Sequence, residues 1–228
     1  MPPATAATTP TTENYLKALY LLQQEAANRL PVPLGQLAQA LGVTPGTVTT
    51  MVKRFSDDGL VKYTPRRGAR LTAAGERVAL DVLRRHRIIE TFLVQVLGLD
   101  WSEVHEEAEV LEHAISEKVL ERIDAMLGHP TADPHGSPIP PASGTGPMRT
   151  VVMRPLTDCS QGEHARVGRL LDTQPPFLRF VEAHGLTPGS EIVVMTNDPA
   201  ADAITIKTGE TTTTLGYAAA GKLLIVGT

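Results

Sequence analysis

The chain is nearly free of cysteine: a single thiol, Cys159, in 228 residues rules out an intrachain disulfide. It also lacks any apolar run approaching the roughly eighteen residues that a membrane helix needs, although 42% of its residues are hydrophobic, an ordinary share for a globular protein. The N-terminus, MPPATAATTPTT, has neither the basic start nor the apolar core of a secretion signal and reads as a disordered leader. These absences point to a reducing cytoplasm. No internal repeat is visible, and the length accommodates one to three domains. Positive charge is not in excess either. The net charge is −4, which would argue against a nucleic-acid partner if it were evenly spread.

It is not evenly spread. From Lys53 to Arg70, six bases (Lys53, Arg54, Lys62, Arg66, Arg67, Arg70) stand against Asp57 and Asp58, which makes a candidate phosphate-binding stretch. From Asp100 to Asp124, nine acids stand against Lys118 and Arg122, a concentration that attracts divalent cations and repels DNA.

Thr12 to about Leu71 reads as three helices and a hairpin. Tyr15, Leu16, Leu19, Tyr20 and Leu22 fall at helical spacing, with Thr11 or Thr12 as N-cap. Leu34 to Leu41 forms a second amphipathic helix stopped by Gly42, and Thr44-Pro45 opens a third through about Asp57. Helix, glycine turn and capped helix make a helix-turn-helix. Val61–Thr64 and Ala69–Thr72, around Pro65-Arg66-Arg67-Gly68, read as a wing. The N-terminal residues of the second helix of such a motif reach base edges in the major groove. Here these are Thr44, Pro45, Gly46, Thr47, Thr49 and Thr50, which offer hydroxyls and apolar contact to thymine methyls but no bidentate arginine. Lys53, Arg66, Arg67 and Arg70 are placed for phosphate. A helical hairpin used for protein contact is the plain alternative, and a basic wing on an acidic protein argues against it. Each half reads only a few base pairs of double-stranded DNA, so a homodimer on a palindromic operator is expected.

From Ala73 to about Leu127 the pattern is helical, with a break at Gly98-Leu99-Asp100 and a long acidic helix after it. There His105, Glu109, Glu112 and His113 fall within an arc of about 100° of one helix, and His86 and Glu90 repeat the i,i+4 step on an earlier helix. Two helices that offer carboxylate and imidazole to each other are how helical domains build a divalent-cation site. A lone HxxxE step is more often a surface pair, but two such groups in adjacent helices point to a paired metal site. His129 to Pro147 is packed with proline, glycine and serine and reads as a linker. Short β-branched runs at Ile192–Met195, Ile204–Lys207, Thr211–Leu215 and Lys222–Val226, with one helix near Pro176–Ala183, suggest a small barrel. Cys159 reads as a small buried hydrophobe, and His129, His135, His164 and His184 as solvated or locally bonded.

With these residues in hand, the chain resembles the three-domain members of the diphtheria toxin repressor family of iron and manganese sensors. The resemblance rests on TTENYLKALY, GVTPGTVTTMVKRFSDDGLV, RRHRIIETFL and above all GLDWSEVHEEAEVLEHAISEKV, with GLTPGSEIVV in the C-terminal segment. It implies a mainly α fold with a small β domain. The parts are a winged helix-turn-helix DNA-binding domain over residues 1–72, a helical metal-binding and dimerisation domain over 73–140, a linker over 141–148 and an SH3-like (FeoA-like) β barrel over 149–228. It further implies that Glu109, Glu112 and His113 form the primary metal site and His86, Glu90 and His105 an ancillary one. Iron-type members have cysteine at the position of Glu109, so the carboxylate here implies a manganese sensor, with Fe(II) the alternative and other divalent transition metals binding in vitro. Where the family places a methionine or aspartate ligand this chain has Asn14, which offers an uncharged amide oxygen, and Lys17 stands where some manganese sensors carry an acid. The C-terminal domain is expected to lend a ligand to the ancillary site, with Asp172 first and Gln174 and Glu163 behind it.

The expected function is a cytoplasmic, metal-activated transcriptional regulator, a repressor of metal-ion uptake. Cation binding would cancel repulsion among Glu90, Glu109 and Glu112, tie the first helix to the metal domain through Asn14 and set the spacing of two recognition helices; operator DNA must then tighten metal binding by the same factor. A metal-dependent hydrolase on the same residues is the rival from another class, but neither HExxH nor a nucleophile motif is present. A regulator that senses a small organic ligand is the second rival. Neither an enzyme activity, a membrane nor an organic ligand is expected.

Overall fold

A computed structural model describes residues 8–25, 31–142 and 151–227, which fall into two compact units. The expected leader lies mostly outside the described residues, as do residues 143–148 of the expected linker.

The first unit runs to Arg85 and takes in the segment from Pro140. Its helices are α1 (Pro10–Glu25), α2 (Leu34–Leu41) and α3 (Pro45–Asp57), followed by strands β1 (Val61–Thr64) and β2 (Gly68–Leu71). Helix α1 starts earlier than its sequence suggests. Thr9, not Thr11 or Thr12, caps it, its hydroxyl oxygen accepting from the Thr12 N–H at 3.3 Å, because Pro10 occupies the first turn, where a missing N–H removes nothing. Leu16, Leu19, Leu37, Val48, Val52 and Phe55 fill the core, and Tyr15 meets Phe55 edge-on at 5.6 Å. Thr44 caps α3 and accepts from the Thr47 N–H at 3.2 Å. Val32 makes a single antiparallel bridge to Ala69 beside the wing. That approach requires glycine next door, since a Cβ on Gly68 (φ 123°) would stand 2.2 Å from the Val32 carbonyl oxygen.

Helix α4 (Ala73–Gln95) begins in the first unit and ends in the second. Thr72 caps it through the Gly75 N–H. Instead of one long acidic helix, the chain then forms two short ones, α5 (Val104–Leu111) and α6 (Glu117–Met126). The break falls at residues 112–116, where Ser116 turns extended (ψ 150°) and starts α6. Ile89, Leu93, Val104 and Ala108 pack together, as do Ile88, Leu120 and Ile139.

The stretch read as a linker from His129 is instead folded over much of its length. Ala132 bridges Pro138, and Asp133 Oδ1 accepts the N–H groups of His135 and Ser137, each at 2.9 Å. This loop packs on the C-terminal sheet, where the Leu170 N–H donates to the His135 carbonyl and Arg169 reaches Ser137. Proline and glycine exclude helix here but not order. A Cβ on Gly136 (φ 82°) would lie 2.1 Å from the Gly168 carbonyl oxygen, so the contact depends on glycine.

The rest of the second unit is an antiparallel sheet of β3 (Arg154–Pro155), β4 (His164–Leu170), β5 (Glu191–Asp198), β6 (Ala203–Thr208), β7 (Thr211–Gly216) and β8 (Leu223–Gly227), in the order β3-β8-β4-β5-β6-β7. Helices α7 (Pro175–Ala183) and α8 (Tyr217–Ala220) and a 3-10 turn at Leu156–Asp158 complete it. Alternate residues point inward, as the two-residue period requires; Val194 faces Ile206 and Val167 faces Ile225, all in one core with Leu156, Leu178 and Ile192. Cys159 sits in that core, and burial, reinforced by the Glu163 charge, pushes its thiol up to about 11.

Candidate metal centre and nucleic-acid interface

In the first unit, of the residues expected to read the groove, Thr44, Pro45, Gly46, Thr47 and Thr50 are exposed at the start of α3, as is Lys53 further along it, while Thr49 is half-buried. Thr49 and Thr50 donate their hydroxyl protons to the carbonyls of Pro45 and Gly46, at 2.8 and 3.1 Å. In this state they present lone pairs and methyl groups outward, not donors. Arg66, Arg67 and Arg70 are exposed on the wing, with Arg66 held at φ 64° at its tip. Lys62 and Arg70 stand directly opposite each other across the ladder. Like charges at that spacing are destabilising by some tenths of a kcal/mol, a penalty that a polyanion opposite the wing relieves.

The second unit brings together predicted metal residues of α4, of α5 and of the turn after it. His86 and Glu90, one turn apart on α4, meet His105 on α5, and all three polar tips converge. His86 Nε2 lies 3.0 Å from Glu90 Oε1 and 3.0 Å from His105 Nδ1, which is 3.2 Å from the same Glu90 oxygen. On the other side of the ring, His86 Nδ1 lies 2.6 Å from Glu112 Oε2. Both of these neighbours are carboxylates, which accept, so a neutral ring with its single proton satisfies only one of them and turns its lone pair to the other. Only a proton or a cation makes that contact favourable. Donors about 3.0 Å apart are also what an octahedral ion with bonds of about 2.1 Å requires, whereas a tetrahedral ion with the same bonds separates them by about 3.4 Å.

His86 also groups with Glu109 and Glu112. Glu112 is wholly buried, and its other oxygen lies 3.3 Å from His113 Nε2; Glu109 is half-buried and 3.7 Å from His105 Nε2. Burial alone would raise the Glu90 carboxyl, but hydrogen bonds from His105 and His86 and the positive charge of His86 and His135 outweigh it, holding Glu90 ionised well below the usual carboxylate range.

A third group joins Glu90 to Asp133 and His135, neither of which was singled out as a ligand in the sequence. His135, read there as solvated or locally bonded, is 1% exposed. Its Nε2 lies 3.0 Å from the Trp101 carbonyl oxygen, which can only accept. In the neutral ring Nδ1 then keeps its lone pair, 3.8 Å from Glu90 Oε2 and 4.0 Å from Asp133 Oδ1. A histidine whose second nitrogen donates to a backbone carbonyl is oriented as metal-ligating histidines are. Burial, then the Glu90 charge, pushes the Asp133 carboxyl up against the pull of Arg87, whose Nε is 3.5 Å from it. The signal available in the sequence was DPH within the proline-rich stretch, and composition argued against using it.

Trp101, the sole tryptophan, stacks on His135 with ring centroids 5.5 Å apart and 21° between the planes. Titration with Cd(II), which has no unpaired electrons, is expected to change Trp101 emission as the third group fills. In His135→Ala the change should vanish, and an undiminished change there would remove His135 from the ligands.

Of the remaining predicted residues, Asp172 and Glu163 belong to none of these groups. Asp172 Oδ2 accepts from Lys222 at 2.7 Å and Oδ1 from the Gln174 N–H at 2.8 Å; burial opposes ionisation, but these bonds hold the carboxyl low. Glu163 accepts from Arg154 and from the Ser160 N–H. Asn14 is half-buried on α1 of the first unit.

A winged helix with a basic edge and a helical domain with a buried imidazole–carboxylate cluster define a metal-responsive DNA-binding protein. Comparison with known proteins agrees. Residues 7–69 match the family model for the iron dependent repressor N-terminal DNA binding domain, 72–141 that for the iron dependent repressor metal binding and dimerisation domain, and 154–226 the FeoA domain. The chain is 34% identical to the iron-dependent repressor IdeR of Mycobacterium leprae over 91% of this chain and 93% of that protein. It is 36% identical to the diphtheria toxin repressor of Corynebacterium diphtheriae over 57% of this chain and 56% of that one. Among solved structures it is similar to a manganese-dependent transcriptional repressor in complex with manganese (37% identity, TM-score 0.85, 95% of this chain and 100% of that one). It is also similar to ScaR with bound Cd2+ (29% identity, TM-score 0.79, 95% and 99%). The chain belongs to the iron-dependent, or diphtheria toxin, repressor family, as a metal-dependent DNA-binding repressor with a dimerisation domain. Among the described residues, no helix is long and apolar enough to cross a membrane.

Proposed function

We propose that this protein is a Mn(II)-activated repressor of metal-ion uptake genes that binds a palindromic operator as a homodimer. The observation that carries the metal preference is the His86–Glu90–His105 triangle, with edges of 3.0, 3.0 and 3.2 Å and no sulfur donor, which suits an octahedral ion of the manganese kind better than a tetrahedral one. Similarity to a manganese-dependent repressor supports the same choice. Glu109, Glu112 and His113, with Asn14, are the proposed primary ligands; His86, Glu90 and His105, with Asp172, the ancillary ones; Asp133 and His135 extend the set. A bound divalent ion would supply positive charge where Glu90, Glu109, Glu112 and Asp133 concentrate negative charge. The chain's own part is to hold those carboxylates at fixed spacing, as Arg87 and the backbone N–H groups do for Asp133. Thr44, Pro45, Gly46, Thr47, Thr49 and Thr50 would read bases, and Lys53, Arg66, Arg67 and Arg70 phosphates.

Fe(II) accepts the same donors, and the iron-dependent relatives make an iron-responsive repressor the second reading. Retention of sheared genomic DNA by the purified protein, in Mn(II), in anaerobic Fe(II) and in EDTA, separates the two. Enrichment of a few palindromic promoter sites with Mn(II) is expected, with less at equal Fe(II) and none in EDTA. The same sites in EDTA would leave the ion a structural role only.

Val110, Val119 and Met126, exposed on α5 and α6 within the dimerisation domain, are the proposed apolar contact with the second copy. A Val110→Glu, Met126→Glu double variant is expected to sediment as a monomer, and a persistent dimer would move the interface elsewhere.

A further inference from the structure

We propose that His86 couples the two neighbouring metal-competent groups through its tautomer: when its Nε2 ligates an ion with Glu90 and His105, its Nδ1–H is committed to Glu112 and orients that carboxylate for an ion at Glu109, Glu112 and His113. The inference rests on the metal reading above and goes beyond it by assigning a direction of influence. His86 belongs to both groups, with one ring nitrogen turned to each. A neutral imidazole has one lone pair, so it can serve as a ligand on one side only and must donate on the other. The ring is 5% exposed and set edge-on against His105, with centroids 4.8 Å apart, so it has no room to turn over. Glu112 is 0% exposed, so water does not replace the hydrogen bond at 2.6 Å. Carboxylate ligands held by an outer hydrogen bond typically lose about 10- to 100-fold in metal affinity when it is removed. Filling the His86–Glu90–His105 group therefore tightens the neighbouring one. Ligation of the Glu109–Glu112 ion by His86 Nδ1 is excluded for as long as Nε2 is engaged.

The full-length protein labelled with 15N-histidine and loaded with 113Cd(II) reads the tautomer directly. Coupling from cadmium to His86 Nε2, with a proton retained on Nδ1, is expected; coupling to Nδ1 overturns the proposal. Two variants then test the consequence by calorimetric titration with Mn(II). His105→Ala removes a ligand from one group and leaves Glu112 untouched, with Glu109 losing only the 3.7 Å approach of His105 Nε2, and is expected to lose one ion per protomer and to hold the remaining one roughly tenfold more weakly. His86→Asn loses the same ion but keeps an N–H where Nδ1 was, and is expected to hold the remaining ion more tightly than His105→Ala does. Equal affinities in the two variants would break the link through Glu112 while leaving the metal reading intact. Absence of bound cadmium in the wild-type protein would overturn both.

Discussion

Glu112→Gln is expected to weaken Mn(II) binding by about 100-fold or more and to abolish metal-dependent operator binding, with the fold retained. The size of the effect follows from the position. Glu112 is wholly buried, accepts from His86 at 2.6 Å, lies 3.3 Å from His113, and is shared by the proposed primary site and the hydrogen bond to its neighbour. Glutamine preserves the volume and an oxygen acceptor for His86 but removes the negative charge, and a neutral amide oxygen is a poor substitute for a carboxylate facing a divalent ion. Because a buried charge is removed, metal-free stability should be unchanged or slightly raised. Calorimetry with Mn(II), operator anisotropy with and without Mn(II), and thermal melting of the metal-free protein check the three parts. Metal-dependent operator binding at wild-type strength would take Glu112 out of the sensing site.

Arg67→Ala with Arg70→Ala is expected to lower operator affinity by roughly tenfold or more at moderate salt, and to reduce the slope of log affinity against log salt by about two per protomer, hence about four for the dimeric complex. Both side chains are exposed on the wing and are proposed to contact phosphate rather than base edges, so the loss should be nearly uniform across operator and non-operator DNA. Thermal stability should move the other way. Arg70 stands opposite Lys62 in the β1–β2 ladder, and its removal relieves a like-charge pair. Weaker DNA binding together with an equal or higher melting temperature is the expected signature. An unchanged salt slope would mean that the wing does not touch the backbone.

The elements that the chain could specify by itself are those in which local periodicity and capping agree. Helices α2 and α3 and strand β1 lie where Gly42, Thr44-Pro45 and the basic turn put them, because each boundary is set by residues within a few positions. The imidazole and carboxylate residues of α4 and α5 were legible for the same reason, since i,i+3 and i,i+4 steps bring side chains together whatever the rest of the molecule does. What periodicity could not convey is which groups share a member. That His86 turns one nitrogen to Glu90 and the other to Glu112 depends on the packing of α4 against a segment some 26 residues away in sequence. Nor could it reveal Asp133 and His135. Their loop has no period, and its proline and glycine exclude helix and central strand while remaining compatible with a tight, buried turn. The turn is held by Asp133 accepting two backbone N–H groups and by Gly136 fitting against Gly168, and the second of these contacts joins residues distant in sequence. The sequence alone thus determined the kinds of side chain available and the faces on which they lie. The tertiary structure decided which lone pairs meet, because that is set by burial and by the proton each imidazole must give to its other neighbour.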